Sequence, residues 1–228
     1  MQQKTTNNAT DSGKYIAIGD IHGCAKSLDA LLQKIQPYSD RLHVFIGDYI
    51  DRGPDSRSVV NRVMQYDRVH ECCFLRGNHE KMLLEAIASG NRRHWLINGG
   101  HETLHSYGVY SPENLPADHL AFISSTQLWL NTPNYLFIHA GLNPRLAVEE
   151  QLSGPDIEHA ALWERSHLHY PVVWEKTVVF GHTPVREPLI EDQKIAIDTG
   201  CVFHDRGFGN LTAILLPEKT VIQQEYLD

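Results

Sequence analysis

Tyr15-Ile-Ala-Ile-Gly-Asp20 is a short apolar run that ends in glycine and a carboxylate, and Leu42-His-Val-Phe-Ile-Gly-Asp48 repeats the arrangement. Apolar runs of this length, bounded by turn signals, are buried strands. Between them Ala25, Leu28, Leu31, Leu32 and Ile35 recur at helical spacing, and Pro37 stops the segment. A helix from about Ser56 to Tyr66 follows the second strand. Glu71-Cys-Cys-Phe-Leu-Arg76 is a third strand, and it leads into a helix with Met82, Leu83, Ala86 and Ile87 on one side. Strands separated by helical patterns predict right-handed crossovers and a parallel sheet.

The second half changes character. Residues 99–134 are mixed, with one helix expected at 116–125. Short strands are expected at 135–139, 178–182, 194–198, 211–216 and 220–225, with turn signals and little helix between them. The reading is an α/β fold in which two sheets pack face to face with helices outside. Residues 1–13 are polar, lack the apolar stretch of a signal peptide and are read as a tail, which leaves 14–228 as one domain. No apolar run approaches the ~20 residues of a membrane helix.

Composition narrows the function classes. The 228 residues are 42% hydrophobic and 21% charged, an ordinary globular balance. Lys plus Arg is 20 against 28 for Asp plus Glu, so the net charge is −8. That acidity argues against a coat for nucleic acid or for an anionic membrane. Cys24, Cys72, Cys73 and Cys201 form no CxxC pair, so a reducing cytoplasm is a simpler setting than a disulfide framework. The 14 histidines are the unusual feature, since imidazole binds metals and moves protons near neutral pH.

Five motifs carry the chemistry: Gly19-Asp-Ile-His-Gly23, Gly47-Asp-Tyr-Ile-Asp-Arg-Gly53, Arg76-Gly-Asn-His-Glu80, His139-Ala-Gly141 and Gly181-His-Thr-Pro184. Each falls at the C-terminal end of an expected strand, where sites of α/β sheets assemble. Asp20, His22, Asp48, Asn78, His139 and His182 form a ligand inventory that suits Mn, Fe or Zn. Six such groups exceed one open catalytic site, whereas two metals sharing a carboxylate use them all. Such a pair holds both the attacking and the non-bridging oxygens of an in-line displacement at phosphorus. His79, next to Asn78, is placed to protonate a leaving oxygen, and Asp51 to orient its ring. Arg52 and Arg76 are candidate bidentate phosphate clamps, with a structural salt bridge as the alternative for Arg76. Arg165 is either a third clamp or an exposed loop residue. His167 and His169 are placed at the pocket mouth. Asp198 is either a partner behind a ligating histidine or a turn cap.

The ordered set GDIHG, GDYIDRG, RGNHE, HAG and GHTP resembles the calcineurin-like metallophosphoesterases over residues 15–216, and more narrowly their bacterial and phage serine/threonine protein phosphatases. His94-Trp-Leu-Ile-Asn-Gly-Gly100, Ile197-Asp-Thr-Gly-Cys-Val-Phe203 and Gly209-Asn-Leu-Thr212 also resemble the phage type. The resemblance implies two mixed sheets in a central sandwich and a dimetal site at the strand ends. One metal would take Asp20, His22 and bridging Asp48. The other would take Asp48, Asn78, His139 and His182. It implies Mn2+, with iron or zinc as the other options, and direct attack by hydroxide held between the metals. His79 would be the general acid with Asp51 behind it. Arg52, Asn78, His79 and Arg165 would meet the substrate phosphate, and Arg76 would act as a catalytic arginine. The implied partner is a phosphoprotein or phosphopeptide. The turn His204-Asp-Arg-Gly-Phe208 is longer than expected and reshapes one wall of the pocket.

The competing enzyme is a symmetrical diadenosine tetraphosphate hydrolase, a relative that uses the same metals. That class usually lacks the Asp51-Arg52 pair and has GNHD where this chain has Asn78-His-Glu80. Both differences favour the protein phosphatase in the sequence. A cyclic phosphodiesterase or nucleic-acid end phosphatase is a weaker option. A binding scaffold with a decayed site is disfavoured because His79 and all six ligands are present.

Overall fold

The apolar runs build two five-stranded sheets, seen in a computed structural model that describes residues 13–228. The tail expected at 1–13 lies, Gly13 excepted, outside the described residues. The first sheet is made of β1 (Tyr15–Ile18), β2 (Leu42–Phe45), β3 (Cys72–Phe74), β9 (Asn210–Leu216) and β10 (Thr220–Glu225), in the order β10-β9-β1-β2-β3. β1, β2 and β3 run parallel, joined by the helices α1 (Ala25–Ile35) and α2 (Ser56–Tyr66). β9 adds antiparallel to the other side of β1, with Tyr15 opposite Leu216.

The second sheet is made of β4 (Trp129–Asn131), β5 (Tyr135–Ile138), β6 (Thr177–Phe180), β7 (Leu189–Ile190) and β8 (Lys194–Ala196), in the order β4-β5-β6-β8-β7. β5, β6 and β8 are parallel, and β4 and β7 are antiparallel edges. Both sheets are therefore mixed.

Strand alternation explains the layers. Tyr15, Ala17, Val44, Ile46, Phe137, Val179, Ile195 and Ile214 face the space between the sheets. Ile16, Ile18 and Phe45 face the other way, onto α1, α2 and α3 (Asn78–Ser89). Leu136, Ile138, Val178, Phe180 and Ala196 do the same for the second sheet, against Trp174 and Ala161. Strands buried on both faces read as continuous apolar runs, which is how they appear in the sequence.

Several elements differ from the expectation. Ahead of the mixed stretch lie α4 (Arg93–Trp95) and a π-turn at Leu96–Gly100, and the stretch itself adds α5 (His101–Tyr107) to the one expected helix, α6 (Ala117–Ser125). The half expected to hold little helix contains α7 (Val148–Leu152) and α8 (Ile157–Trp163). These are too short to show a sustained 3.6 period. Cys73 packs between the sheets, and all four cysteines are free thiols. No helix among the described residues is long and apolar enough to cross a membrane.

Candidate active site

The loops that follow β1, β2, β3, β5 and β6 converge at one end of the sandwich, so both sheets contribute. Asp20, His22, Asp48, Asn78, His79, His139 and His182 are all buried there. Such convergence strains the backbone. Six non-glycine residues among those described have positive φ, and five are His22, Asp48, Asp51, Arg52 and His182. Strain of order 1–3 kcal/mol per residue collects at sites whose geometry the surrounding fold imposes. Glycine permits the closest approaches: a Cβ on Gly77 would overlap the Asp48 carboxylate, and one on Gly181 would overlap Asp20 Oδ1.

His22 and His139 are held in the tautomer a metal needs. His22 Nδ1 faces the Ile50 carbonyl at 2.9 Å, and His139 Nδ1 faces the Ile46 carbonyl at 3.1 Å. Each Nδ1–H donates there, leaving the Nε2 lone pair turned toward Asp48 Oδ2, at 3.3 and 3.5 Å. His139 Nε2 and His182 Nδ1 both lie 3.0 Å from Asn78 Oδ1. Two clusters result: His22, Asp48 and His79, and Asp48, His139 and His182. Asp48 belongs to both. Asp20 lends Oδ2 to the His182 amide at 3.0 Å, while its buried Oδ1 has no partner.

The electrostatics fit a cation site. Burial, with the Asp198 and Asp48 charges, raises the Asp20 pKa well above the carboxylate range. Burial takes His22 down to about 4 and His182 down to about 2, so both offer neutral imidazoles. Burial opposes the Asp48 carboxylate too, yet His139, His79 and His22 hold its pKa well below the ordinary value. Buried carboxylates facing neutral imidazoles, with one oxygen unsatisfied, form a donor set that divalent metals complete.

His79 stands inside this ring. Its Nδ1 meets Asp51 Oδ2 at 2.7 Å, and its buried Nε2 has no partner. Asp51 is itself fixed by Trp95 Nε1 at 2.9 Å and by the Thr103 hydroxyl at 2.6 Å. Burial opposes the imidazolium, but the Asp48 charge and the Asp51 hydrogen bond raise the His79 pKa above its ordinary value.

The arginines divide. Arg52 Nη1 lies 2.8 Å from His22 Nε2, and Arg165 Nε donates to His182 Nε2 at 3.0 Å, so both guanidiniums reach the cluster. Arg76 does not. Its guanidinium donates to the Ser124 carbonyl at 2.8 Å and to the Thr126 carbonyl at 2.9 Å. Arg76, expected as a catalytic arginine, instead has its guanidinium on the carbonyl end of α6, where a cation complements the helix dipole. His167 is also displaced from the expected pocket mouth, buried against Phe180 and Trp174. Asp198 Oδ1 caps its turn, accepting from the Gly200 amide at 2.9 Å.

In the sequence, Glu80 serves only to separate enzyme classes and is given no place in the site. Its carboxylate accepts from the amides of Gly77, Asp48 and Tyr49 at 2.9, 3.0 and 2.9 Å, tying the second and third motif loops together. Burial and the Asp48 charge push its pKa up to about 7. Glu80 is the third residue of α3 and reaches back to the amide of its N-cap Gly77, which has no side chain to return the bond, so the Ser/Thr half of the usual sequence signal is missing. Thr103 lies outside every motif, and nothing local marks it.

Comparison with known proteins sharpens the picture. The bis(5'-nucleosyl)-tetraphosphatase PrpE (asymmetrical) of Oceanobacillus iheyensis is 30% identical, over 92% of this chain and 91% of its own. Serine/threonine-protein phosphatase 1 of Salmonella typhimurium is 32% identical over 82% of this chain and 86% of its own. A crystal structure assigned to a diadenosine tetraphosphatase superposes with a TM-score of 0.70 at 24% identity, over 96% of each chain, a likeness of fold. Further relatives that span about nine-tenths of the chain carry the nucleosyl-tetraphosphatase name. They overturn the protein phosphatase expectation in favour of the nucleotide alternative. The Asp51-Arg52 and Glu80 argument separated this chain only from symmetrical hydrolases, and it did not weigh the asymmetrical class. Residues 13–205 match the calcineurin-like phosphoesterases, and with both sheets and all five loops inside or beside that span, the chain belongs to that family.

Proposed function

We propose that the protein hydrolyses dinucleoside tetraphosphates and cuts them asymmetrically. The observation that carries this reading is the end-to-end likeness to the Oceanobacillus tetraphosphatase, which leaves little of either chain unmatched. Asp20, His22 and Asp48 would hold one divalent metal, and Asp48, Asn78, His139 and His182 the other, with Mn2+, iron or zinc as the candidates. Bound there, the metals supply positive charge to the phosphate oxygens and lower the pKa of water.

The chain's own groups do the rest. Arg52 and Arg165 reach the cluster from two sides and orient the phosphate oxygens. A water gives up one proton to solvent as its oxygen bonds to phosphorus and the bridging P–O bond breaks. His79 Nε2 gives its proton to the departing phosphate oxygen. Asp51, pinned by Trp95 and Thr103, keeps the His79 ring aimed. His79 and Asp51 are buried, which keeps bulk water away from that proton.

The test is a product analysis. Protein supplied with Mn2+ should convert diadenosine tetraphosphate to ATP and AMP, and faster than it dephosphorylates a phosphoserine peptide. Chelation should abolish turnover, and elemental analysis before chelation should find two metal ions per chain. ADP as the sole product would reject asymmetric cleavage. A phosphopeptide with the higher kcat/KM would reject the nucleotide reading altogether.

A further inference from the structure

Beside the candidate metal ligands lies a cleft of about 660 Å³, of whose lining the proposed chemistry uses only Arg52. It begins at Arg52, whose guanidinium touches His22 at 2.8 Å, so it is continuous with the catalytic end of the sandwich. One wall is the 3-10 turn Cys201–Arg206, which belongs to the segment that stands out as long in the sequence. The other is the π-turn Leu96–Gly100, carried to the site by the hydrogen bond from the Arg52 amide to the Gly99 carbonyl.

The lining has a particular chemistry. The Phe203 ring lies 5.3 Å from the Arg52 guanidinium and 5.2 Å from that of Arg206. Opposite stand Ile97, an isoleucine 73% exposed to water, and the polar side chains of Asn98 and Glu102. An aromatic ring with two guanidiniums over it, a joint aromatic and cationic surface, suits a flat heteroaromatic ring that trails phosphates. The exposed Ile97, on the other segment of the lining, adds a second apolar surface to the cleft. The volume lies within the range of pockets that enclose small ligands.

We propose that this cleft binds one nucleoside end of a dinucleoside polyphosphate, with its base on Phe203 and its phosphates passing Arg206 and Arg52 toward the cluster. The inference rests on the nucleotide reading above and adds the residues that recognise the base. It also gives the long turn a purpose: the turn follows directly on Phe203 and carries Arg206. A substrate held by its base has a fixed register, so the platform also selects which phosphate reaches the cluster.

The experiment compares diadenosine tetraphosphate with inorganic tripolyphosphate, which keeps the phosphates and lacks the base. For Phe203→Ala, KM for the dinucleotide should rise roughly 10- to 100-fold, the range that one base–aromatic stack is worth. Preference for the dinucleotide over tripolyphosphate should collapse, and ADP should appear among the products as the register loosens. Phe203→Trp should restore KM. Ile97→Glu, at an exposed position, tests the facing wall without disturbing the core and should also raise KM for the dinucleotide. If wild type prefers the dinucleotide and both Phe203→Ala and Ile97→Glu keep that preference, the cleft assignment fails while the nucleotide reading stands. If wild type shows no preference for the dinucleotide over tripolyphosphate or a phosphopeptide, the nucleotide reading fails, and the cleft assignment with it.

Discussion

At the scale of single residues, the site is a set of short-range choices that the motifs made readable. Asp20, His22, Asp48, Asn78, His79, His139 and His182 lie together because each follows a glycine-rich strand end. Arg76 shows where motif reading stops. It begins the RGNHE motif, yet Thr126 and Ser124 offer its guanidinium hydrogen bonds that no local pattern announces. Trp95, though inside a quoted motif, and Thr103, outside every one, gave no sign of their bonds to Asp51, which is 44 and 52 residues away in the chain. The buried, unpartnered His79 Nε2 carries a prediction. His79→Asn should lower turnover by about two to four decades on an alkyl phosphate, the usual worth of a positioned acid. The loss should shrink on aryl phosphates and on the tetraphosphate, whose leaving oxygens need a proton less. A rate series across leaving groups checks this, and equal losses throughout would remove His79 from the acid role.

At the scale of elements, long amphipathic helices and doubly buried strands were legible, and short ones were not. α2 spans Ser56–Tyr66 as its spacing predicts, because Val59, Val60 and Val63 are all buried. β4 and β7 are three and two residues long, and pairing with β5 and β8 defines them more than their own pattern does. α1 shows a third kind of illegibility. Its N-cap is Cys24, which makes no side-chain cap, and its first turn has no acidic residue. The cap comes from the far end of the sequence: Asp228 accepts from the Lys26 amide at 2.7 Å and the Ser27 amide at 3.0 Å. Asp228→Ala should therefore cost about 1 kcal/mol. For a chain of this size that lowers Tm by roughly 2–4 °C. Calorimetry on the variant checks it, and an unchanged Tm would show that water replaces the cap.

At the scale of the whole molecule, two buried histidines away from the metal cluster set a pH limit. Burial takes His43 and His167 down to about 4 each. A folded-state pKa below the ordinary 6.5 means that the unfolded chain takes up the protons first. Their contribution to stability is complete above about pH 6.5 and is lost as pH falls toward 4. Thermal melts of the chelated protein should show Tm falling through that window. The fall should be shallower in His43→Gln, which keeps an acceptor for the Tyr66 hydroxyl that now meets His43 Nδ1 at 2.9 Å. A flat Tm across the window would contradict the assignment.

The strand order has a consequence for how the protein is made. β1 sits between β2 and β9, so the partner for one of its edges is encoded some two hundred residues after it. At roughly 5–20 residues per second on a ribosome, that edge waits about 10–40 s for β9. Throughout the delay a bare, apolar strand edge is open to pairing with other chains. His182 also arrives late, so a nascent chain carries an incomplete set of the candidate ligands. Biosynthesis thus has two hazards, aggregation and the capture of stray cations by half-built ligand sets, and both end only when the last strands leave the exit tunnel.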